Sequence, residues 1–495
     1  MVSDKLRYSS NTDHSTLITN HCFKMLMNEE ELQRIVTEVL KNIDPAAAPF
    51  NLSGSDGPVF SSVDAAVSYG EQAQVAFQDL GMEARSKIID SMRRVSVDNA
   101  ARWAKIAVAE TGMGRVEDKT QKNLIVAART PGVEDLRSIS YTGDKGLTLV
   151  EWAPFGVVAA ITPSTNAVAT IISNAIGILA AGNSVVFSPH PAAKGCVQDC
   201  VRVLNSAIIS AGGPANLVST IENPTQDSTR ELLAHPKGRM NMVTGGPAIV
   251  KVAMTVGKAC KTIAAGPGNP PIVVDETAIF PDCAREIITG CGFDNNVLCI
   301  AEKEVVVTEK AKALFLESMR KDPRAYELTA AQIDKLASLA ILAPGKEPRL
   351  NRDFIGKNAS VIAKAIGLSL PDEIRVLWSE VSEDHPFVVS EQLMPVLPVT
   401  TARDIDVAIE LAYKLEWAHH HTSGMYSTDI RNMSKMGRRM ACSIFVKNAC
   451  TLHGLGLGEG YASMSIGTPT GDGITKTSHF VRPLQCSLVG YMRIA

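Results

Sequence analysis

The stretch GVVAAITPSTNAVATIISNAIGILAAGNSVVF, residues 156–187, decides the fold. Gly156 to Ile161 is a fully apolar strand, Ala169 to Ala181 an apolar helix, and Ser184 to Phe187 a second apolar strand. Neither strand alternates with polar residues, so both are expected in a parallel sheet covered on its two faces by helices. The pattern continues downstream. A helix is predicted over Ala192–Ala211 and a strand over Met240–Val243, which ends at Thr244-Gly245-Gly246 ahead of another helix. Ala264-Ala265-Gly266-Pro267-Gly268 closes the set. Strands alternating with helices predict an α/β architecture, and in such sheets ligands sit beyond the carboxyl ends of the strands.

Upstream, residues 62–128 read as mostly helical, over Val63–Leu80 and Ala84–Thr111. Around Pro271 the α/β pattern restarts, with strands at Pro271–Asp275, Val305–Val307, Val396–Val399 and Ser443–Asn448 and helices at Asp282–Gly290 and Ala402–Leu415. The tail from Pro469 is rich in Gly, Thr and Ser, ends apolar over Cys486–Tyr491, and is read as an arm that reaches a neighbouring subunit.

A chain of 495 residues predicts about two or three domains. A net charge of −3 argues against nucleic acid as a partner. No apolar run reaches the roughly 20 residues that span a bilayer. The ten cysteines are scattered without a CxxC pair, which speaks against a disulfide framework and a zinc site. His419-His420-His421 has no companion ligands in the sequence, so no metal is expected. Residues 1–26 lack the apolar core and cleavage site of a signal peptide.

Residues 28–43 carry Leu32, Ile35, Val36, Val39, Leu40 and Ile43 on one helical stripe, with Asn28 placed to cap it and Glu31 three residues on. The Pro/Gly/Ser-rich segment 45–58 reads as a linker. Such a tethered helix either docks on its own domain or presents its stripe to a partner groove.

One cysteine stands out from the others. In Gly292-Phe293-Asp294-Asn295-Asn296-Val297-Leu298-Cys299 a polar loop ends at a thiol, just before the apolar strand that includes Val305–Val307. A thiol at a loop–strand junction is held rigidly and still reaches a pocket, which suits a nucleophile.

From about residue 59 onward the chain resembles an aldehyde dehydrogenase. Ile161-Thr162-Pro163-Ser164-Thr165-Asn166 is similar to the segment that ends in the oxyanion-hole Asn. Val243-Thr244-Gly245-Gly246 is similar to the turn beside the nicotinamide. Cys299 falls at the nucleophile, and Glu391-Gln392-Leu393-Met394-Pro395-Val396 at the segment whose Glu holds the nicotinamide ribose. The resemblance implies a Rossmann-like cofactor domain over 59–264, with 130–150 part of an oligomerisation arm. It implies a catalytic domain over 265–450, and over 451–495 a return to the cofactor domain and the arm. The implied catalytic residues are Cys299, Asn166 and His421, the last as a base for the CoA thiol with a pKa suited to neutral pH. The implied cofactor-binding residues are Thr162, Pro163, Ser164, Ser188, Pro189, His190, Thr244, Gly245, Gly246, Ala265, Gly266, Glu391 and Pro395. NAD is expected, because Phe187 is followed by Ser188-Pro189-His190 with no Arg or Lys to meet a 2′-phosphate.

One departure sets the branch. Where hydrolytic members carry a Glu general base, this sequence has Ala264, and neither Ala264 nor Ala265 can take a proton. That resembles the coenzyme A-acylating branch, in which the thiol of CoA rather than water releases the acyl group. Glu110-Thr111-Gly112-Met113-Gly114, Phe293-Asp294-Asn295-Asn296 and Thr468-Pro469-Thr470-Gly471 are similar to the propionaldehyde enzymes of bacterial microcompartments, with the ethanolamine-type acetaldehyde enzymes close by. The resemblance implies a short-chain aldehyde substrate, a cytoplasmic location in a microcompartment lumen, a helix over 27–44 that docks on a shell protein, and a dimer or tetramer. Residues 1–26 do not fit it: either translation starts at Met27 or they are an unusual, disordered extension. The rivals are a hydrolytic enzyme releasing free acid, an acyl-phosphate reductase, and a noncatalytic cargo.

Overall fold

The computed structural model describes residues 57–492. The extension at 1–26, the helix at 27–44 and nearly all of the 45–58 linker lie outside the described residues.

Two parallel sheets organise the chain. The first runs in the order Val59–Phe60, Val218–Ile221, Ser184–Pro189, Val157–Thr162, Gly238–Thr244, Lys261–Ala265. From Val157–Thr162 the chain builds outward first to one side and then to the other, so the order reverses beside that strand. The crevice at such a reversal is where ligands bind. The helix Ala167–Ala180 that follows is buried at every residue, which is why its sequence is apolar all round. Met82–Thr111, Val116–Arg129 and Lys194–Ser210 pack around it. The long N-terminal helical zone breaks at Gly112 and Gly114, both with positive φ.

The second sheet has the order Ala325–Glu327, Val376–Glu380, Val396–Ala402, Glu304–Thr308, Pro271–Val274, Thr422–Tyr426, Ile444–Lys447, again parallel throughout. The predicted helix Ala402–Leu415 starts only at Ile405, because Ala402 completes a strand and Asp404 caps the helix through Val407 N–H. Likewise Lys194 opens the helix expected from Ala192, since Pro191–Ala193 is a single 3₁₀ turn.

The third sheet is antiparallel: Ile139–Gly143 and Gly146–Pro154 form a hairpin, and Val481–Val489 pairs with the second of these strands. Ile139, Tyr141, Leu484, Leu488 and Val489 are exposed on it. The start of the tail does not belong to this arm. Phe480 joins the core of the first sheet and Ile474 packs against it.

Candidate active site

A cavity of about 910 Å³ opens at the carboxyl ends of the central strands of the first sheet and reaches the Cys299 loop of the second unit. Thr162, Pro163, Ser164, Asn166, Ser188, Pro189, His190, Thr244, Gly245, Gly246, Gly266, Glu391 and Cys299 all line it. Three expected residues do not. Ala265 is buried in a strand opposite Thr244. Pro395 is buried, its carbonyl accepting from Leu377 N–H inside the second sheet. His421 lies wholly behind the wall.

The dinucleotide end of the cavity has matching chemistry. Gly246 caps the helix Pro247–Thr255, and the space where its Cβ would stand is open. A diphosphate fits such a bare helix N-terminus. Thr162 Oγ1 is buried without a protein partner. The Ser188 hydroxyl bonds Thr229 Oγ1 at 3.1 Å, and the same helix, Gln226–Ala234, carries the exposed Arg230 onto the rim. Sequence reading missed Arg230 because it looked only at residues directly after Phe187.

Cys299 keeps part of its surface toward the cavity although it lies deep in the protein. Burial pushes its thiol up to about 12, and Glu391 adds to the effect. Lys303, its own backbone N–H and Lys122 oppose it. The loop is therefore built around a thiol that needs a proton acceptor. Lys303, fully buried, supports the loop from beneath by donating to the carbonyls of Asn296 at 2.9 Å and Leu298 at 3.1 Å. Asp294, Asn295 and Asn296 all have positive φ, a conformation that costs other side chains about 1–2 kcal/mol and suits Asn and Asp best. Each is fixed by its side chain. Asn295 donates to the Gly356 carbonyl at 2.8 Å, Asn296 to the Glu302 carbonyl at 2.9 Å, and Asp294 accepts from Arg115 N–H at 2.8 Å.

Glu391 lines the same cavity as Cys299 and helps to raise its thiol. Burial raises its carboxyl to about 7, while Lys303 and the Gly268 N–H work in the opposite direction. His421 does not meet the expectation of a near-neutral imidazole. Burial, His419 and Lys303 push it down to about 3. Its Nδ1 pairs with Thr422 Oγ1 at 2.9 Å. The backbone of Gly268 passes between it and the nucleophile, and a Cβ there would stand 2.8 Å from the Cys299 carbonyl and 2.9 Å from the imidazole Cγ. Away from the site, Glu286, Cys450 and His453 bring their ligand-type atoms within 4.8 Å of one another. Glu286 there accepts from the Cys450 N–H.

Among known proteins, the model of the aldehyde dehydrogenase family matches residues 55–339. The chain belongs to that family. This aldehyde dehydrogenase is 44% identical over 471 residues to the acetylating acetaldehyde dehydrogenase EutE of Salmonella typhimurium, covering 94% of this chain and 100% of the other. It superimposes with a TM-score of 0.86 and 38% identity on a propionaldehyde dehydrogenase from the fucose utilisation microcompartment of Clostridium phytofermentans, over 89% of this chain and 100% of that one. It matches the Rhodopseudomonas palustris propionaldehyde dehydrogenase, solved with CoA and an acylated cysteine, with a TM-score of 0.85 and 41% identity over 88% and 99% of the two chains. In this aldehyde dehydrogenase Ala264 and Ala265 are buried in the strand Lys261–Ala265, and what that segment offers the cavity is Gly266 and Pro267. Among the described residues, the carboxylates that line the cavity are Glu347 and Glu391.

Proposed function

We propose that this enzyme oxidises a short-chain aldehyde, propionaldehyde foremost, to its acyl-CoA with reduction of NAD, through a thioester on Cys299. The observation that carries the reading is the lack of a proton acceptor in the Ala264–Gly268 segment, where hydrolysis would need one. The Cys299 sulfur adds to the aldehyde carbon as its proton leaves for Glu391, the cavity group whose carboxyl sits near neutrality. The Asn166 side-chain NH₂ and the Cys299 N–H receive the oxyanion; one such donor is worth about 2.7–4 kcal/mol. NAD, when bound, supplies the acceptor for the hydride that leaves the thiohemiacetal carbon, and a thioester remains on Cys299. Glu391 gives up the proton taken from Cys299 to solvent, takes the proton of the CoA thiol as its sulfur displaces Cys299 from the acyl carbon, and returns it to the departing Cys299 sulfur. Aldehyde, NAD⁺ and CoA thus become acyl-CoA, NADH and a proton. Glu391 also holds the nicotinamide ribose while NAD is bound, and His421 buttresses the wall rather than moving protons. CoA and the dinucleotide occupy one cavity in turn, since both carry adenine and diphosphate.

A second aldehyde, acetaldehyde, is favoured by the 44% identity to an acetylating relative. Segment 28–43, whose sequence pattern is that of an amphipathic helix, docks on a microcompartment shell protein in the cytoplasm, a reading supported by the microcompartment origin of a structural neighbour. The exposed apolar residues of the antiparallel arm pair two copies into a dimer, or a tetramer of two dimers. No helix among the described residues is long and apolar enough to cross a membrane. The test is NADH formation from propionaldehyde or acetaldehyde with and without CoA, with products identified by mass. Sustained turnover only with CoA, giving acyl-CoA, supports the proposal. Equal turnover without CoA, giving free acid, overturns it.

A further inference from the structure

Asn166 occupies the N-cap of the helix Ala167–Ala180 but does not cap it. Its side chain accepts from no helical N–H. The helix can do without that cap because every one of its residues is buried, its isoleucines and leucine included. The Asn166 Oδ1 instead accepts from Lys122 Nζ at 2.6 Å. Lysine can only donate, so this bond fixes which end of the amide is which. Nδ2 is left with one long bond to Thr165 Oγ1, at 3.3 Å, in a residue that lines the cavity with Cys299.

Lys122 is itself held. It is fully buried and also donates to Asp294 Oδ2. Lys119 donates to the same oxygen at 3.0 Å and to the Thr165 carbonyl at 3.0 Å. Asp294 belongs to the loop that ends at Cys299. Two lysines on one turn of the helix Val116–Arg129 thus tie the turn bearing the oxyanion donor to the loop bearing the nucleophile. The loop side is closed by Asp118, which accepts from Asp294 N–H at 2.8 Å and pairs with Arg375. Gly114 gives the Asp294 carboxylate its place, since a Cβ at 114 would stand 1.9 Å from Oδ1.

We propose that Lys122 is a positioning residue for aldehyde oxidation. It locks the Asn166 amide with its NH₂ toward the cavity, and its bond to Asp294 sets the distance between that NH₂ and Cys299. Without it the amide can rotate, and the oxyanion meets either a carbonyl oxygen or a misplaced donor. The inference rests on the oxyanion role given to Asn166, and its readout comes before CoA is used.

The experiment is a thermodynamic cycle of Lys122→Met and Asn166→Ala in the full chain. It follows the single-turnover burst of NADH from propionaldehyde without CoA, alongside alkylation of Cys299 by iodoacetamide, a reaction that forms no oxyanion. Lys122→Met is expected to slow the burst by about 100-fold, the order seen for losing one such donor. The aldehyde KM and the alkylation rate should stay within about threefold of the parent. In the Asn166→Ala background the same change should cost less than about threefold, because there is no amide left to position. Lys122→Gln, which keeps a neutral donor, should retain more of the burst than Lys122→Met and serves in the same cycle if the methionine variant does not fold. A burst within threefold of the parent, or a full second loss in the Asn166→Ala background, would overturn the proposal. A wild-type enzyme that goes on to make free acid would instead overturn the acylating reading and leave this comparison standing.

Discussion

Asp294, buried in the loop that ends at the nucleophile, and Glu391, in the wall of the cavity, are carboxylates driven to opposite states by their surroundings. Burial alone would raise the Asp294 carboxyl, but Lys119, Lys122 and the Arg115 N–H hold it below the usual range. Glu391 meets one lysine and one backbone N–H across an open cavity, and burial wins, at about 7. The first is permanently ionised and works as a clamp. The second is raised to about 7, where a carboxyl can both take and give up a proton. The difference shows that what a carboxylate does here is set by how many donors converge on it, not by how deeply it lies.

That contrast can be broken by substitution. The largest effect is expected from Cys299→Ala, which removes the group both carboxylates serve. NADH formation should fall at least a thousandfold, and no acylated protein should appear by mass. Next is Glu391→Gln. If the carboxylate is the base, it acts only when ionised, so acyl transfer should rise from pH 6 to 8 through about 7 in the parent. The variant should lose that rise along with about 100-fold or more in rate. A raised KM for NAD with an unchanged pH profile would leave Glu391 as a ribose holder alone. Asp294→Asn should act mainly on stability. It leaves two buried ammonium groups without their counter-charge, a loss of about 3–5 kcal/mol, to be read from the urea midpoint. If the midpoint does not move, the clamp is not structural. The smallest effect is expected at the far rim, where Arg230→Ala should lower kcat/KM for NADP by up to about tenfold more than for NAD.

The fold was legible where a strand is uniformly apolar. Gly156–Ile161 and Ser184–Phe187 announced themselves because burial on both faces removes all polar positions. The strands Val218–Ile221, Val376–Glu380 and Thr422–Tyr426 escaped notice, since Ser219, Thr220, Ser379 and Ser423 interrupt their apolar runs while being buried themselves. At the site, Cys299, Asn166 and Glu391 were readable as motifs, and the cavity brings them together. Lys122 was not, because a lysine on a helix reads as solvated and only its burial beside Asp294 gives it a task. His421 was readable as a residue, but its burial was not, and that burial pushes its imidazole down to about 3.

The left-handed run Asp294-Asn295-Asn296 has a consequence for biosynthesis. The bonds that hold it come from Arg115 and Asp118 far upstream and from Gly356 and Asn358 far downstream, and Arg375 donates to the Gly292 carbonyl just ahead of it. A nascent chain that has emerged only as far as Cys299 has the thiol but lacks half of the scaffold that shapes its loop. The nucleophile is therefore assembled late, after the ribosome has released residue 375.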